Sequence, residues 1–189
     1  MMLPFERKER YYNGNDTYKY IEKLLRRGKD IYIISPYIDK YYAGRIRAYS
    51  SRKKFHIISS SIEKEALDIL GKQRSPMDLV IPLTLLFGMD SILYYIGFFS
   101  TYAAAISAIL MAILFVGFYG SEKNNVSVLR PKDFVHAKIY LSENMAIEGS
   151  ANLTYRGTHS NIEHIAITLD PDKVGAMRED FWKMWDSFS

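Results

Sequence analysis

The stretch His136-Ala-Lys-Ile-Tyr-Leu-Ser-Glu-Asn-Met-Ala-Ile-Glu-Gly-Ser-Ala-Asn-Leu-Thr154 carries the pattern that decides the expected fold. Two short apolar runs are separated by a polar pair at 143–144, and this pattern predicts two strands joined by a tight turn. Side chains two residues apart lie on the same face of a strand. We therefore expect His136, Lys138 and Tyr140 to share one face of the first strand.

The second predicted strand ends in residues suited to a binding site. Gly149 frees the backbone, and Ser150 and Asn152 follow it directly. The hairpin thus brings a nucleophile (His136), a cation (Lys138) and two small hydrogen-bonding side chains to one place. This combination is suited to gripping and attacking a phosphodiester.

These residues resemble the signature of the phospholipase D superfamily, which is His-x-Lys-x4-Asp followed by Gly-Ser-x-Asn. In this sequence the corresponding residues are His136, Lys138, Glu143, Gly149, Ser150 and Asn152. Glu143 stands where the family has Asp, and the Gly-Ser pair comes slightly early, which fits a shortened hairpin turn. The later Asn161-x-Glu163 is similar to the family segment whose acidic residue supports the histidine.

The resemblance implies a fold, a site and a mechanism. The expected fold is α/β, with a phospholipase D-like mixed sheet flanked by helices. His136 would be the nucleophile that forms a phosphohistidine, and Glu163 would orient it. Lys138 and Asn152 would stabilise charge on the phosphoryl oxygens, and Ser150 would hold that geometry. No metal ion or other cofactor is expected.

A single copy of the motif has a further consequence. In the family each active site uses two copies, with one histidine attacking phosphorus and the other acting on the leaving oxygen. This chain has one copy, so the resemblance implies a homodimer in which the second His136 acts as the acid.

Helix and strand patterns in the rest of the chain also favour an α/β fold. The predicted strands cover residues 30–35, 55–59, 126–129, 134–141, 145–148 and 162–168. The predicted helices are 17–27, 42–49, one capped by Ser61 and one starting at Asp170.

Positive charge is concentrated in the N-terminal part of the chain. Residues 1–74 contain 17 Lys and Arg against 9 Asp and Glu, although the whole chain carries only +4. This imbalance favours an anionic partner, either nucleic acid or lipid headgroups, but a solvated surface would give the same count. The chain has no cysteine, which excludes disulfides and thiolate metal sites.

A long apolar block interrupts the sequence. Between residues 79 and 119 Asp90 is the only charged residue, and the length suits two membrane-spanning helices at 79–99 and 102–119. The predicted domains are therefore a discontinuous phospholipase D-like domain, 1–74 with 121–189, and an inserted transmembrane hairpin at 75–120. A buried helical hairpin in a soluble protein is the alternative.

The hairpin would make the bilayer a partner of the protein. Basic residues flank the apolar block, so the positive-inside rule places the globular domain and both termini in the cytoplasm. The expected protein is a multi-pass, membrane-anchored phosphodiesterase. Its substrate is nucleic acid or phospholipid, and a non-catalytic phosphate-binding scaffold is a third possibility.

Overall fold

The computed structural model describes residues 9–71, 77–95, 97, 106–113 and 125–189. The chain divides into two compact units, one formed by Met1–Lys72 with Asn124–Ser189 and the other by Gln73–Lys123. The larger unit contains the sheet and the residues of the expected site.

The described strands and helices follow one another along the chain, with α4 and α5 in the smaller unit and all others in the larger one. The strands are β1 (Glu9–Gly14), β2 (Asp30–Ile34), β3 (Tyr37–Ile38), β4 (Lys54–Ile58), β5 (Ser61–Ile62), β6 (Val126–Leu129), β7 (Ile139–Leu141), β8 (Ala146–Gly149) and β9 (Glu163–Thr168). The helices are α1 (Tyr18–Arg27), α2 (Lys40–Tyr49), α3 (Lys64–Gly71), α4 (Met77–Tyr95), α5 (106–113), α6 (Tyr155–His159) and α7 (Pro171–Phe188).

A seven-stranded mixed sheet has the order β1-β9-β8-β7-β2-β4-β6. β2, β4 and β6 are parallel, whereas β1, β9, β8, β7 and β2 pair antiparallel. β3 and β5 form a separate parallel pair. This topology confirms the predicted mixed α/β fold and places the β7–β8 hairpin beside the central strand β2.

The hydrophobic core lies on both faces of the sheet, and β2 shows why. Ile31 and Ile33 belong to one buried cluster, whereas Tyr32 and Ile34 belong to the other. Alternate side chains of a strand point to opposite faces, so a strand that is apolar at every position must be covered on both sides. Helices α1 and α2 contribute to the first cluster, and α7 contributes Phe181 to the second.

Two predicted boundaries differ from the structure. The strand expected at 134–141 is limited to β7, so His136 and Lys138 lie in the segment before the strand. Ser61 was expected to cap a helix, but it pairs with Tyr37 in the short β3–β5 ladder. Both differences arise where pairing with a neighbouring strand, which is a tertiary effect, decides the local structure.

The prediction of a transmembrane hairpin is wrong for the part of the chain that the structure describes. Among those residues no helix is long and apolar enough to cross a membrane. α4 includes Asp78 and Asp90, which the interior of a bilayer disfavours.

Three predictions depended on this hairpin: contact with a bilayer, a multi-pass topology and a cytoplasmic globular domain. They are therefore not supported. Residues 96, 98–99, 102–105 and 114–119 of the two predicted spans lie outside the described residues. Asp90 accepts a hydrogen bond from Ser107 Oγ, so α4 and α5 are in contact within their own unit.

Candidate active site

His136 and Lys138 form a contact pair just before β7. Lys138 Nζ lies 3.3 Å from His136 Nδ1 and 3.2 Å from His136 Nε2, and it donates to the His136 carbonyl oxygen at 2.7 Å. His136 is exposed, whereas Lys138 is only 7% exposed. An anionic group that reaches the imidazole from solvent would therefore also meet a largely buried cation.

The burial of Lys138 changes its acid–base behaviour. Burial lowers the pKa of the Lys138 ammonium because a charged group is less stable away from water, and the Glu163 carboxylate only partly offsets this effect. Keeping Lys138 charged in this buried position therefore costs free energy. An anionic ligand would reduce that cost.

The Gly-Ser pair follows from a close approach between β8 and β9. A Cβ atom on Gly149 would lie 2.0 Å from the His164 carbonyl oxygen and 2.9 Å from Ile165 Cα, so only glycine fits there. Ser150 N donates to the His164 carbonyl oxygen at 2.9 Å, and His164 N donates to Ser150 Oγ at 3.0 Å. The serine hydroxyl is therefore fixed against the first residues of β9.

Glu163 lies at the start of β9 and is 9% exposed. Its carboxylate accepts hydrogen bonds from Ser150 Oγ and, at 3.1 Å, from Asn161 Nδ2. Glu163 was expected to orient His136, but no hydrogen bond joins the two among the described residues. The structure instead brings together Glu163, Ser150 and Asn161, and it connects Glu163 to Lys138 through their charges.

Asn152 has unused hydrogen-bonding capacity. Its side-chain Oδ1 is buried and has no hydrogen-bond partner among the described residues. Buried polar atoms in native structures nearly always have a partner. An unpaired amide next to the Gly-Ser pair therefore suggests a group that is completed when a ligand or water binds.

Two buried side chains that sequence reasoning missed hold the loop around Asn152. Ser35 Oγ accepts from Leu153 N at 3.0 Å, and Tyr140 OH donates to the Ala151 carbonyl oxygen at 2.6 Å. Ser35 directly follows β2, and Tyr140 continues the alternation that begins at His136. The alternation was visible in the sequence, but the partner of each hydroxyl depends on the fold.

Glu143 has a structural position in the hairpin turn. Its Oε1 accepts from Lys29 N at 2.7 Å and from Asp30 N at 2.8 Å, which joins the turn to the start of β2. Partial burial raises the pKa of Glu143, but hydrogen bonds from backbone N–H groups and the Lys29 charge outweigh it, so the pKa lies below its ordinary value. The carboxylate at this motif position therefore stabilises the hairpin.

The side chains of the remaining histidines contact other groups. His56 packs against Trp182, His164 Nδ1 lies 2.6 Å from Asn13 Oδ1, and His159 belongs to α6. Within the described ranges, no group of three or more His, Asp or Glu side chains is arranged to hold a metal ion.

Comparison with known proteins gives one family match. Residues 115–185 match the family described as "Cardiolipin synthase, PLD-like domain". No curated protein matches the sequence.

Solved structures share the fold at low sequence identity. NucT from Helicobacter pylori superimposes with a TM-score of 0.54 at 13% identity, and the match covers 95% of this chain and 96% of NucT. Nuc from Salmonella typhimurium, described as a phospholipase D family member, gives a TM-score of 0.53 at 11% identity and covers 94% and 95%. Phosphatidylserine synthase from Haemophilus influenzae Rd KW20 gives 0.53 at 14% identity, with 95% of this chain and 38% of the synthase covered.

The mixed sheet and its β7–β8 hairpin define a phospholipase D-like domain. The family match covers the whole of the His-x-Lys and Gly-Ser-x-Asn motif, so that over residues 115–185 the chain resembles the phospholipase D superfamily. The resemblance inferred from His136, Lys138, Ser150 and Asn152 is thereby confirmed at the level of the superfamily.

Proposed function

We propose that this protein is a metal-independent phosphodiesterase that cleaves nucleic acid, with His136 as its nucleophile. The observation that carries the proposal is the contact between the exposed His136 ring and Lys138 Nζ at 3.2 and 3.3 Å. A nucleophile and a cation at this spacing suit a phosphoryl group, whose charge needs stabilisation while the nucleophile attacks phosphorus.

The first step forms a covalent intermediate. A ring nitrogen of His136 attacks phosphorus, and the bond from phosphorus to the leaving oxygen breaks. Lys138 and the Asn152 amide stabilise charge on the non-bridging oxygens. Ser150 and Glu163 act as positioning residues, because their hydrogen bond fixes β8 against β9 next to Lys138.

The second step returns the free enzyme and requires another proton carrier. When the first step breaks the bond to phosphorus, the leaving oxygen takes a proton from His136 of a second copy of the chain. That imidazole then accepts a proton from water as the water attacks the phosphohistidine, which releases the phosphate product. One chain has one such motif, so the proposal includes a homodimer with a shared site.

Charge supports nucleic acid as the substrate. Residues 1–74 contain 17 Lys and Arg against 9 Asp and Glu, and excess positive charge attracts a polyanion over long distances. Two structural neighbours, NucT and Nuc, have the same fold over nearly their whole length. A phospholipid-hydrolysing or phosphatidyl-transferring activity is the second candidate, because the matched family is described as a cardiolipin synthase domain.

A substrate panel in EDTA separates these functions. Purified protein is incubated with single-stranded DNA, duplex DNA, RNA and vesicles of phosphatidylglycerol or cardiolipin. The proposal predicts nucleic-acid cleavage that His136→Ala abolishes and that His164→Gln, a matched histidine control whose ring contacts Asn13, retains.

The other outcomes contradict the proposal in distinct ways. Cleavage of lipid alone assigns the second candidate. Binding of nucleic acid or lipid without turnover of either assigns a non-catalytic phosphate-binding scaffold.

A further inference from the structure

A basic cleft of about 550 Å³ lies outside the His136 site, along helix α1 and next to residues of α2 and α6. We call it the α1 cleft. Five of its nine lining residues are cationic: Lys19, Lys23, Arg26, Arg27 and Arg45. None of them has a role in the mechanism above.

Four of these cations share one face of α1. Lys19, Lys23 and Arg27 follow each other at intervals of four residues, and Arg26 lies beside the last of them. Like charges at this spacing repel each other on a helix. The helix dipole favours cations in the last turn of a helix, which explains the positions of Arg26 and Arg27. It does not explain the position of Lys23.

Most of the charge of this face is not neutralised by neighbouring carboxylates. Within the described residues, Lys23, Arg26 and Arg27 form no ion pair. The one acidic residue of the cleft, Glu22, is engaged by Arg45 at 2.8 and 2.6 Å and by Tyr49 OH at 3.1 Å. Lys19 is paired with Asp16, so three cations of the row, Lys23, Arg26 and Arg27, remain without a counter-charge among the described residues.

Aromatic rings line the same cleft. The His159 ring is stacked between Tyr18, at a centroid distance of 4.3 Å, and Tyr155, also at 4.3 Å. The Tyr41 ring meets His159 edge-on at 5.5 Å, and Tyr41 is 37% exposed. Basic side chains combined with exposed aromatic faces are typical of surfaces that bind single-stranded nucleic acid.

The cleft is connected to the candidate active site through short α6. Thr154, the N-cap of α6, lies just after Asn152 and accepts from Gly157 N at 3.0 Å. Asp39, the N-cap of α2, accepts from Tyr155 N at 2.5 Å. These bonds hold the end of the Gly-Ser-x-Asn loop, α6 and α2 together, so that a ligand in the cleft lies on the elements that support Asn152.

We propose that the α1 cleft binds single-stranded nucleic acid, with its phosphates on the α1 cations and its bases against the Tyr41–His159 cluster. The row from Lys19 to Arg27 extends for about 12 Å along the helix. Such a row suits successive phosphates of one strand better than a single lipid headgroup. The inference rests on the proposed function in one respect, since the bound strand is taken to be the substrate of the His136 site.

The test measures binding without cleavage. Every variant is made in the His136→Ala background, and the anisotropy of a fluorescein-labelled oligothymidylate is followed in EDTA over a range of salt. Lys23→Ala with Arg27→Ala is compared with Arg52→Ala with Lys64→Ala, which removes the same charge from exposed positions outside the cleft.

The cleft pair is expected to raise the dissociation constant at least about tenfold. It should also reduce the magnitude of the slope of log K against log salt by about 1.4, as two lost phosphate contacts predict. The control pair should change the constant less than about twofold. Equal losses in the two pairs would overturn the proposal, because they would reflect net charge alone.

Stacking is tested separately at Tyr41. Tyr41→Leu should weaken binding by about 5- to 150-fold, the range for loss of one stacked base. Tyr41→Phe keeps the ring and should bind within about twofold of the parent. Equal effects of the two substitutions would overturn the stacking arrangement.

Three further results keep the inference separate from the proposed function. If the cleft pair loses binding to vesicles of phosphatidylcholine with phosphatidylglycerol but keeps oligonucleotide binding, the site binds lipid and the inference is wrong. If the chain with His136 intact cleaves no nucleic acid although the cleft pair still loses binding, the proposed function fails and the binding site stands. If cleavage occurs and the cleft pair binds like the control pair, only the inference fails.

Discussion

At the scale of single residues, Lys138 combines features that are seldom found together. Its side chain is 7% exposed, and its ammonium contacts an exposed histidine. The carboxylate of Glu163 acts on it through a coulombic attraction that raises its pKa. Lysine is rarely buried unless it is paired. This environment is the physical reason to regard Lys138 as a phosphate-binding group.

The depressed pKa of Lys138 predicts a pH dependence of activity. The cationic form is lost as the pH rises through a pKa below the ordinary 10.5, so kcat/KM should fall on the alkaline side earlier than an ordinary lysine would allow. Lys138→Arg should lose this limb because arginine stays charged, and Lys138→Ala should lower kcat/KM by about 10²- to 10³-fold. The pH–rate profiles provide the measurement, with circular dichroism recorded at each pH to verify folding. An alkaline limb at the same pH in wild type and Lys138→Arg would assign it to another group.

Glu143 predicts a pH dependence of stability. Its folded pKa lies below the ordinary 4.5, so its contribution is complete above pH 4.5 and is lost as the pH falls through the folded pKa. At neutral pH, Glu143→Gln should therefore lower the free energy of unfolding by about 1–2 kcal/mol, since charged hydrogen bonds to two backbone N–H groups are weakened and partial exposure screens them.

Urea unfolding of wild type and Glu143→Gln at several pH values tests this expectation. The difference between them should shrink below pH 4.5. Glu148→Gln, at an exposed position on β8, serves as the control and should have little effect. A difference that does not change with pH would mean that the carboxylate charge contributes nothing.

At the scale of elements, the approach of β8 to β9 decides where the site residues lie. Gly149 pairs with Ile165, and the backbone of His164 lies where a side chain on Gly149 would extend. The same approach brings Ser150 to Glu163. The glycine of the motif is therefore a packing requirement.

Gly149→Ala should separate these two strands. We expect it to lower the free energy of unfolding by about 1–3 kcal/mol, the usual cost of overpacking. Gly175→Ala in α7 is the matched control, because a Cβ there meets no atom within 4 Å, and it should stabilise the protein by about 0.5–1 kcal/mol. Denaturant melts of both variants provide the measurement. Equal effects of the two substitutions would contradict the packing argument.

The sequence predicted elements well where local pattern determines structure. α1 ends at Arg27 with Gly28 donating to the Leu24 carbonyl oxygen, and α7, predicted to start at Asp170, begins at Pro171 with Asp170 as its N-cap. The segment before β7 was not predicted, because alternation continues through His136 and Lys138 although strand pairing starts at Ile139. Pattern reports which face a side chain occupies, whereas the end of a strand depends on its partner.

The site residues also differ in whether local sequence pattern or the fold determines their contacts. The proximity of His136 to Lys138 was predictable from a spacing of two residues. The partners of Glu163 were not, because they depend on how β8 meets β9. The α1 cleft was also missed, since Lys23 and His159 are distant in sequence and meet only through the packing of α1 near α6.

At the scale of the whole molecule, apolar composition alone led to a wrong prediction. The block at 79–119 has the length of two spans, but no helix in the part of it that the structure describes is long and apolar enough to cross a membrane. Length and composition show that a segment is apolar. They do not establish that it lies in lipid.

The shared site predicts how mixed subunits behave. When wild type and His136→Ala are mixed equally and allowed to exchange, dimers with two intact histidines fall to about a quarter of the total, so activity should drop to about half of the unmixed sum. Activity after exchange and the mass of the assembled species are the measurements. His164→Gln mixed in the same way is the control. Activity that follows the number of wild-type chains alone would show that each chain works without a partner.

The central claim is that His136 cleaves phosphodiesters without a metal ion. Its most direct test is the initial rate of nucleic-acid cleavage in excess EDTA for wild type and His136→Ala, with folding verified by circular dichroism. Wild type should keep its full rate, and the variant should be slower by at least about 10³-fold. Loss of the wild-type rate in EDTA, or an undiminished rate in the variant, would contradict the account.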